Sequence, residues 1–160
     1  MSDEKVINWL GGRLPADWFI GAPEVVIDRD EILIVGTIEA PEGGADAEAG
    51  RITRFREQTR HARMKIAHEA EQRFGRKVAW GAQAGDSRVI FTALSIPVMT
   101  RLRQEQRVVL DTLVDSGVAR SRSDALAWCV RLVGKNAESW LGELREAMER
   151  VESVRAAGPV

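Results

Sequence analysis

The chain has 160 residues, a formal net charge of −1, one cysteine and two histidines. That length allows one or two small domains with a real core, and a lone cysteine excludes an internal disulfide. Charge is unevenly spread: residues 1–50 carry 11 acids and 3 bases, residues 51–77 carry 9 bases and 3 acids, and residues 136–160 are acidic again. A basic band between acidic ends is the pattern of a local anion-binding surface. No apolar run approaches the ~18 residues of a membrane helix, and Ser2-Asp3-Glu4-Lys5 lacks a signal-peptide pattern. The expectation is a soluble, cytoplasmic protein with no membrane partner.

Taken in order, the first element lies within residues 1–20, where Pro15 suits the first turn of a short helix. Trp9, Leu10, Trp18 and Phe19 are expected to form a lid on the following sheet, with an exposed docking patch as the alternative. Residues 24–38 place two β-branched runs around Asp28-Arg29-Asp30-Glu31, which reads as a hairpin. The three acids read as a polar turn, because the glycine and later glutamate of a calcium loop are missing. Residues 40–50 are small, acidic and glycine-rich, and read as a mobile loop or linker.

Residues 51–74 read as one long helix, with Ile52, Phe55, Thr59, Ala62, Ile66, Ala70 and Phe74 along one stripe. Arg56, Arg60 and Arg63 fall on one flank of it. Such side chains either cover the apolar edge or contact phosphate, and both readings stand. Gly75-Arg76-Lys77 should cap that helix. Two strands follow, around Gln83–Ser87. Trp80 is either core or an exposed stacking surface. The first 95 residues therefore predict an antiparallel sheet with one long basic helix, in an α+β domain.

From residue 96 the pattern becomes one short strand and two helices. Ile96, Val98 and Leu102 share a parity; Pro97, Met99, Arg101 and Arg103 share the other. Val109, Leu110, Leu113 and Val114 then recur at helical spacing, and Gly117 supplies a C-terminal cap. Ser121-Arg122-Ser123-Asp124 opens a second helix, with Leu126, Cys129, Val130 and Val133 inward and Cys129 a small core residue. Such a segment cannot bury its own apolar face, whereas two copies can. Residues 136–157 add a last amphipathic helix, with Trp140, Leu141, Leu144, Ala147, Met148, Val151 and Val154 as its stripe. The domain boundaries predicted are 1–95, 96–135 and 136–160.

The run R-L-R-Q-E-Q-R-V-V-L-D-T-L-V-D-S-G-V-A-R-S-R-S-D-A-L resembles the ribbon-helix-helix family of dimeric DNA-binding proteins, over residues 96–135. L-D-x-L-V-x-x-G and S-R-S-D-A-L are its most telling parts. The resemblance implies a homodimer whose paired strands enter the major groove of double-stranded DNA, as in a transcriptional regulator. Base contacts would fall to Met99, Arg101 and Arg103, with Arg101 able to bond bidentately to guanine. Phosphate contacts would fall to Ser121, Arg122 and Ser123 at a helix N-terminus. Arg56, Arg60 and Arg63 are candidates for further nucleic-acid contact. Pro97 and Met99 depart from the family pattern: proline removes a strand donor, and Met99 offers no hydrogen bond to a base.

A non-enzymatic interaction protein, docking on a protein or RNA machine and using the unit only to dimerise, is the alternative. No phosphate-binding glycine loop, nucleophile elbow or metal-spaced cysteine pair occurs. No catalytic residue, metal or cofactor is therefore assigned.

Overall fold

The computed structural model describes residues 3–158, in two units, Met1–Val98 and Met99–Val160. The protein is mixed α+β, with one four-stranded sheet and six helices among the described residues. The first unit contains α1 (Asp3–Arg13), β1 (Glu24–Ile27), β2 (Glu31–Thr37), α2 (Gly44–Gln58), α3 (Arg60–Phe74), β3 (Lys77–Ala84) and β4 (Ser87–Ile90). The second contains α4 (Gln104–Asp115), α5 (Arg122–Asn136) and α6 (Glu138–Ala157).

The sheet runs β1-β2-β3-β4, with antiparallel hairpins at both edges. Its centre corrects the expectation of a purely antiparallel sheet: β2 and β3 are parallel, from Glu31↔Lys77 to Thr37↔Gln83. The cause is connectivity. Two helices carry the chain from the end of β2 to the start of β3, and neighbouring strands joined by a helical crossover run the same way.

The helices also differ from the sequence reading. The supposed loop at 40–50 already contains the first turns of α2, which begins at Gly44. Three alanines there favour helix, and the Glu48 carboxylate accepts a hydrogen bond from the Ser87 amide at 3.1 Å, which ties the turn to β4. The single helix over 51–74 is two, separated at Thr59. Thr59 Oγ1 donates to the Phe55 carbonyl at 2.6 Å beside the Thr59 amide at 3.0 Å, and such a shared carbonyl bends a helix. The apolar stripe survives the break, with Ile52, Phe55, Ile66, Ala70 and Phe74 buried. Pro15 follows α1 instead of opening a helix, because the residue before a proline disfavours helical backbone. Asp3 and Glu4 in the first turn of α1 and Arg13 in the last suit its dipole.

The main core joins Val6 and Leu10 of α1, Ile32 and Ile34 of β2, Ile66, Ala70 and Phe74 of α3, and Trp80 of β3. Trp80 is a core residue, 3% exposed, and its indole N–H finds no hydrogen-bond partner. The expected aromatic lid is present: Trp18 packs edge-on against Trp80 and Phe55, and Phe19 packs on Phe55. Phe19 also rests on Gly36, where any Cβ would overlap its ring. The acidic turn holds itself together. Asp28 Oδ1 accepts from the amides of Asp30 (2.8 Å) and Glu31 (2.7 Å), which lowers the Asp28 carboxyl below the usual range.

In the second unit, Gly117 takes a left-handed φ of 78° after α4, as the sequence predicts. Ser121 caps α5, its Oγ accepting from the Asp124 amide at 3.2 Å. The interior is small: Leu110, Ala119 and Ala125 are buried, with Leu102, Leu113, Val114, Leu126 and Cys129 packed around them. Val130 and Val133, expected inward, are 65% and 56% exposed, since the small core of this unit does not reach them among the described residues. No residue of α6 is buried. Among the described residues, no helix is long and apolar enough to cross a membrane.

Candidate nucleic-acid interface

The segment leading into α4 has neither helix nor strand ladder among the described residues, and its last residue, Arg103, has an extended backbone. Leu102 turns into the small core. By alternation Met99, Arg101 and Arg103 fall on the other side, and all three are exposed. The backbone at the junction is pinned twice. The Arg103 amide donates to Gln106 Oε1 at 2.9 Å, and Arg107 Nη1 donates to the Leu102 carbonyl at 2.7 Å. Met99 and Arg101 border a shallow recess together with Thr100.

Ser121, Arg122 and Ser123 sit at the N-terminus of α5, all exposed. Their side chains are differently engaged. Ser121 is occupied in capping. Arg122 is held by Asp111 of α4, with Nε at 2.6 Å and Nη2 at 2.8 Å. The guanidinium lowers the Asp111 carboxyl from its usual range, and the carboxylate raises Arg122 in return. Ser123 makes no side-chain hydrogen bond among the described residues. Asp124 accepts from the Arg120 amide at 3.0 Å, so a carboxylate already lies at this helix end.

The flank arginines come together in the first unit. Arg56 lies near the end of α2, Arg60 opens α3, and Arg63 follows one turn on. Arg63 is 7% exposed. Its Nε donates to Thr59 Oγ1 at 2.9 Å and its Nη2 to the Arg56 carbonyl at 2.6 Å. Arg63 and Arg56 stand over the Phe91 ring, 5.0 and 5.7 Å from its centre. Among the described residues none of the three forms an ion pair. Burial, then repulsion from Arg56 and Arg60, lowers the Arg63 pKa. The group remains a cation, and its charge is uncompensated. A cleft of about 490 Å³ opens here, lined by these arginines with Thr53, Glu57, Met64, Phe91 and Thr92.

Residues 4–90 match the model of the Rv1265-like protein N-terminal domain, and residues 103–155 match that of the Mb1296 C-terminal domain. The chain belongs to the Rv1265-like family. Uncharacterized protein Rv1265 of Mycobacterium tuberculosis is 57% identical over 156 residues, which is 95% of this chain and 69% of the relative. Uncharacterized protein Mb1296 of Mycobacterium bovis gives the same figures. No solved structure matches.

In this Rv1265-like chain the N-terminal match falls within the sheet unit and the C-terminal match within the helical unit. Two parts of the site were missed in the sequence. Phe91 lies 28 positions beyond Arg63, and only the β3–β4 hairpin brings it beside the arginines. Asp111, eleven positions before Arg122, belongs to the L-D-x-L run, but the sequence did not show that it pairs with Arg122. Neither pairing leaves a short sequence signature.

Proposed function

We propose that this protein is a homodimeric DNA-binding transcriptional regulator in which residues 96–135 form a ribbon-helix-helix unit. The observation that carries this reading is the uncovered apolar surface of the second unit. Val109, Val130 and Val133 are 53%, 65% and 56% exposed, against three buried core residues among the described ones. A second copy covers such a surface by symmetry. Among the described residues the backbone of Met99, Thr100 and Arg101 makes no hydrogen bond, so that stretch is suited to antiparallel pairing with its twin. Pairing there sets two copies of Met99, Arg101 and Arg103 side by side. Arg101 then reads guanine through its two-pronged fork, and Ser121, Arg122 and Ser123 meet the flanking phosphates.

The test is sedimentation equilibrium at micromolar concentration, followed by gel shifts with duplex DNA and structured RNA. A dimer that prefers duplex DNA, with affinity falling steeply with salt, supports the reading. A monomer, or a preference for RNA, overturns it. Arg101→Ala should lose discrimination between duplexes, by about 1–3 kcal/mol for each bidentate contact removed.

A further inference from the structure

We infer that the arginine cleft of the first unit is a binding site for a small phosphorylated ligand. The residues of this site all belong to the first unit, and the inference does not depend on the proposed DNA-reading segment. Three guanidinium groups converge on one opening, and none has an acidic partner among the described residues. Arg63 is fixed in advance by Thr59 and the Arg56 carbonyl, yet its fork has further N–H donors to offer. Holding a like-charged group close to two others, largely out of water, opposes folding unless an anion arrives.

Charge and shape together select the ligand class. Among the described residues Glu57 is the one carboxylate on the cleft, so this lining carries a net excess of two positive charges. A phosphoryl dianion matches that excess, and arginine forks match phosphate oxygens geometrically. The Thr53 Oγ1 hydroxyl is engaged with the Ala49 carbonyl at 3.0 Å but can still accept. Phe91 and Met64 add apolar surface for the organic part of a ligand. The cleft is of the size that small-molecule sites have, and too recessed at Arg63 for the backbone of a duplex to reach all three arginines.

The experiment is calorimetric titration of the full chain with inorganic pyrophosphate at constant ionic strength, with citrate and a duplex oligonucleotide as parallel arms. Constant ionic strength removes general screening from the comparison. The expected result is saturable pyrophosphate binding, weakened about tenfold for each guanidinium lost in Arg56→Gln and Arg60→Gln. Both positions are exposed on helices, so these variants keep the fold, and far-ultraviolet circular dichroism checks it. Arg63→Lys, which keeps the charge and loses the fork, should weaken binding as well. Arg101→Ala should leave pyrophosphate binding unchanged whether or not it alters DNA binding. Citrate bound as tightly as pyrophosphate overturns the phosphoryl assignment. Absence of saturable binding overturns the site, as does pyrophosphate affinity unchanged in both glutamine variants. Loss of duplex affinity in those variants without pyrophosphate binding in the parent overturns it in favour of a DNA-backbone role.

Discussion

Arg122 closes on Asp111 through two nearly parallel hydrogen bonds, 2.6 and 2.8 Å long, and so ties the first turn of α5 to α4. The same guanidinium is a proposed phosphate contact, and the carboxylate both takes two of its N–H donors and offsets its charge, so it competes with a phosphate for this arginine. Asp111→Asn releases it. The expected outcome is tighter binding to duplex DNA at fixed salt, measured by fluorescence anisotropy. Unchanged or weaker binding would remove Arg122 from the set of phosphate contacts.

Several carboxylates titrate below their ordinary range in the folded protein. Arg88 lowers Glu24, Arg13 lowers Glu69, Arg122 lowers Asp111, and the turn amides of Asp30 and Glu31 lower Asp28. A folded-state pKa below the unfolded value favours the native state fully above the ordinary carboxylate range. That contribution is lost as pH falls through the depressed value. Glu31 opposes the trend, since burial and then the Asp28 charge raise it. Its contribution is present at low pH and fades as pH rises. Because the lowered groups outnumber it, the melting temperature should hold steady from neutral pH to the carboxylate range and decline below it. Asp28→Asn keeps an acceptor for the two amides and removes the charge, so calorimetric melts should show a shallower acid decline.

Gly36 and Phe19 occupy one space between them, because a methyl group at position 36 overlaps the ring. Gly36→Ala should destabilise the first unit by about 1–3 kcal/mol, the usual cost of overpacking. In the double variant with Phe19→Ala the two losses should fall short of additive, since removing the ring makes room for the methyl. Urea denaturation of the four proteins checks this, and strict additivity would contradict the overlap.

Trp80 and Ile34 are neighbours in one core but should respond differently to truncation. Ile34→Ala leaves a cavity and should cost about 2–5 kcal/mol. Trp80→Phe also removes atoms, but with them goes a buried N–H that has no partner. Relief of that unmet donor offsets part of the lost packing, so the expected cost is about 1 kcal/mol or less. Denaturation midpoints decide it; a Trp80→Phe cost equal to that of Ile34→Ala would mean that the indole N–H is satisfied after all.

Local signals in the sequence carried the hairpins, the glycine cap at Gly117, the Ser121 cap and the aromatic lid, because each depends on residues close along the chain. The break at Thr59 was hidden, because threonine fits the helical stripe while its hydroxyl bonds back to the Phe55 carbonyl alongside its own amide. The start of α2 was hidden because Glu48 is anchored by Ser87, 39 positions away. The parallel pairing of β2 with β3 follows from a crossover path that strand periodicity does not encode. The basic band at 51–77 pointed to the arginine cleft, but Phe91, which the guanidiniums cover, is supplied by a distant hairpin.

The twenty residues of α6 have no interior of their own, since none of them is buried. In proteins most of a helix's stability comes from packing of its apolar face, and for this one that packing would fall to the proposed second copy. Its helicity then obeys mass action. In the proposed dimer, dilution would expose this tail to proteases and association would shelter it, so its cleavage would gauge how much of the chain is paired.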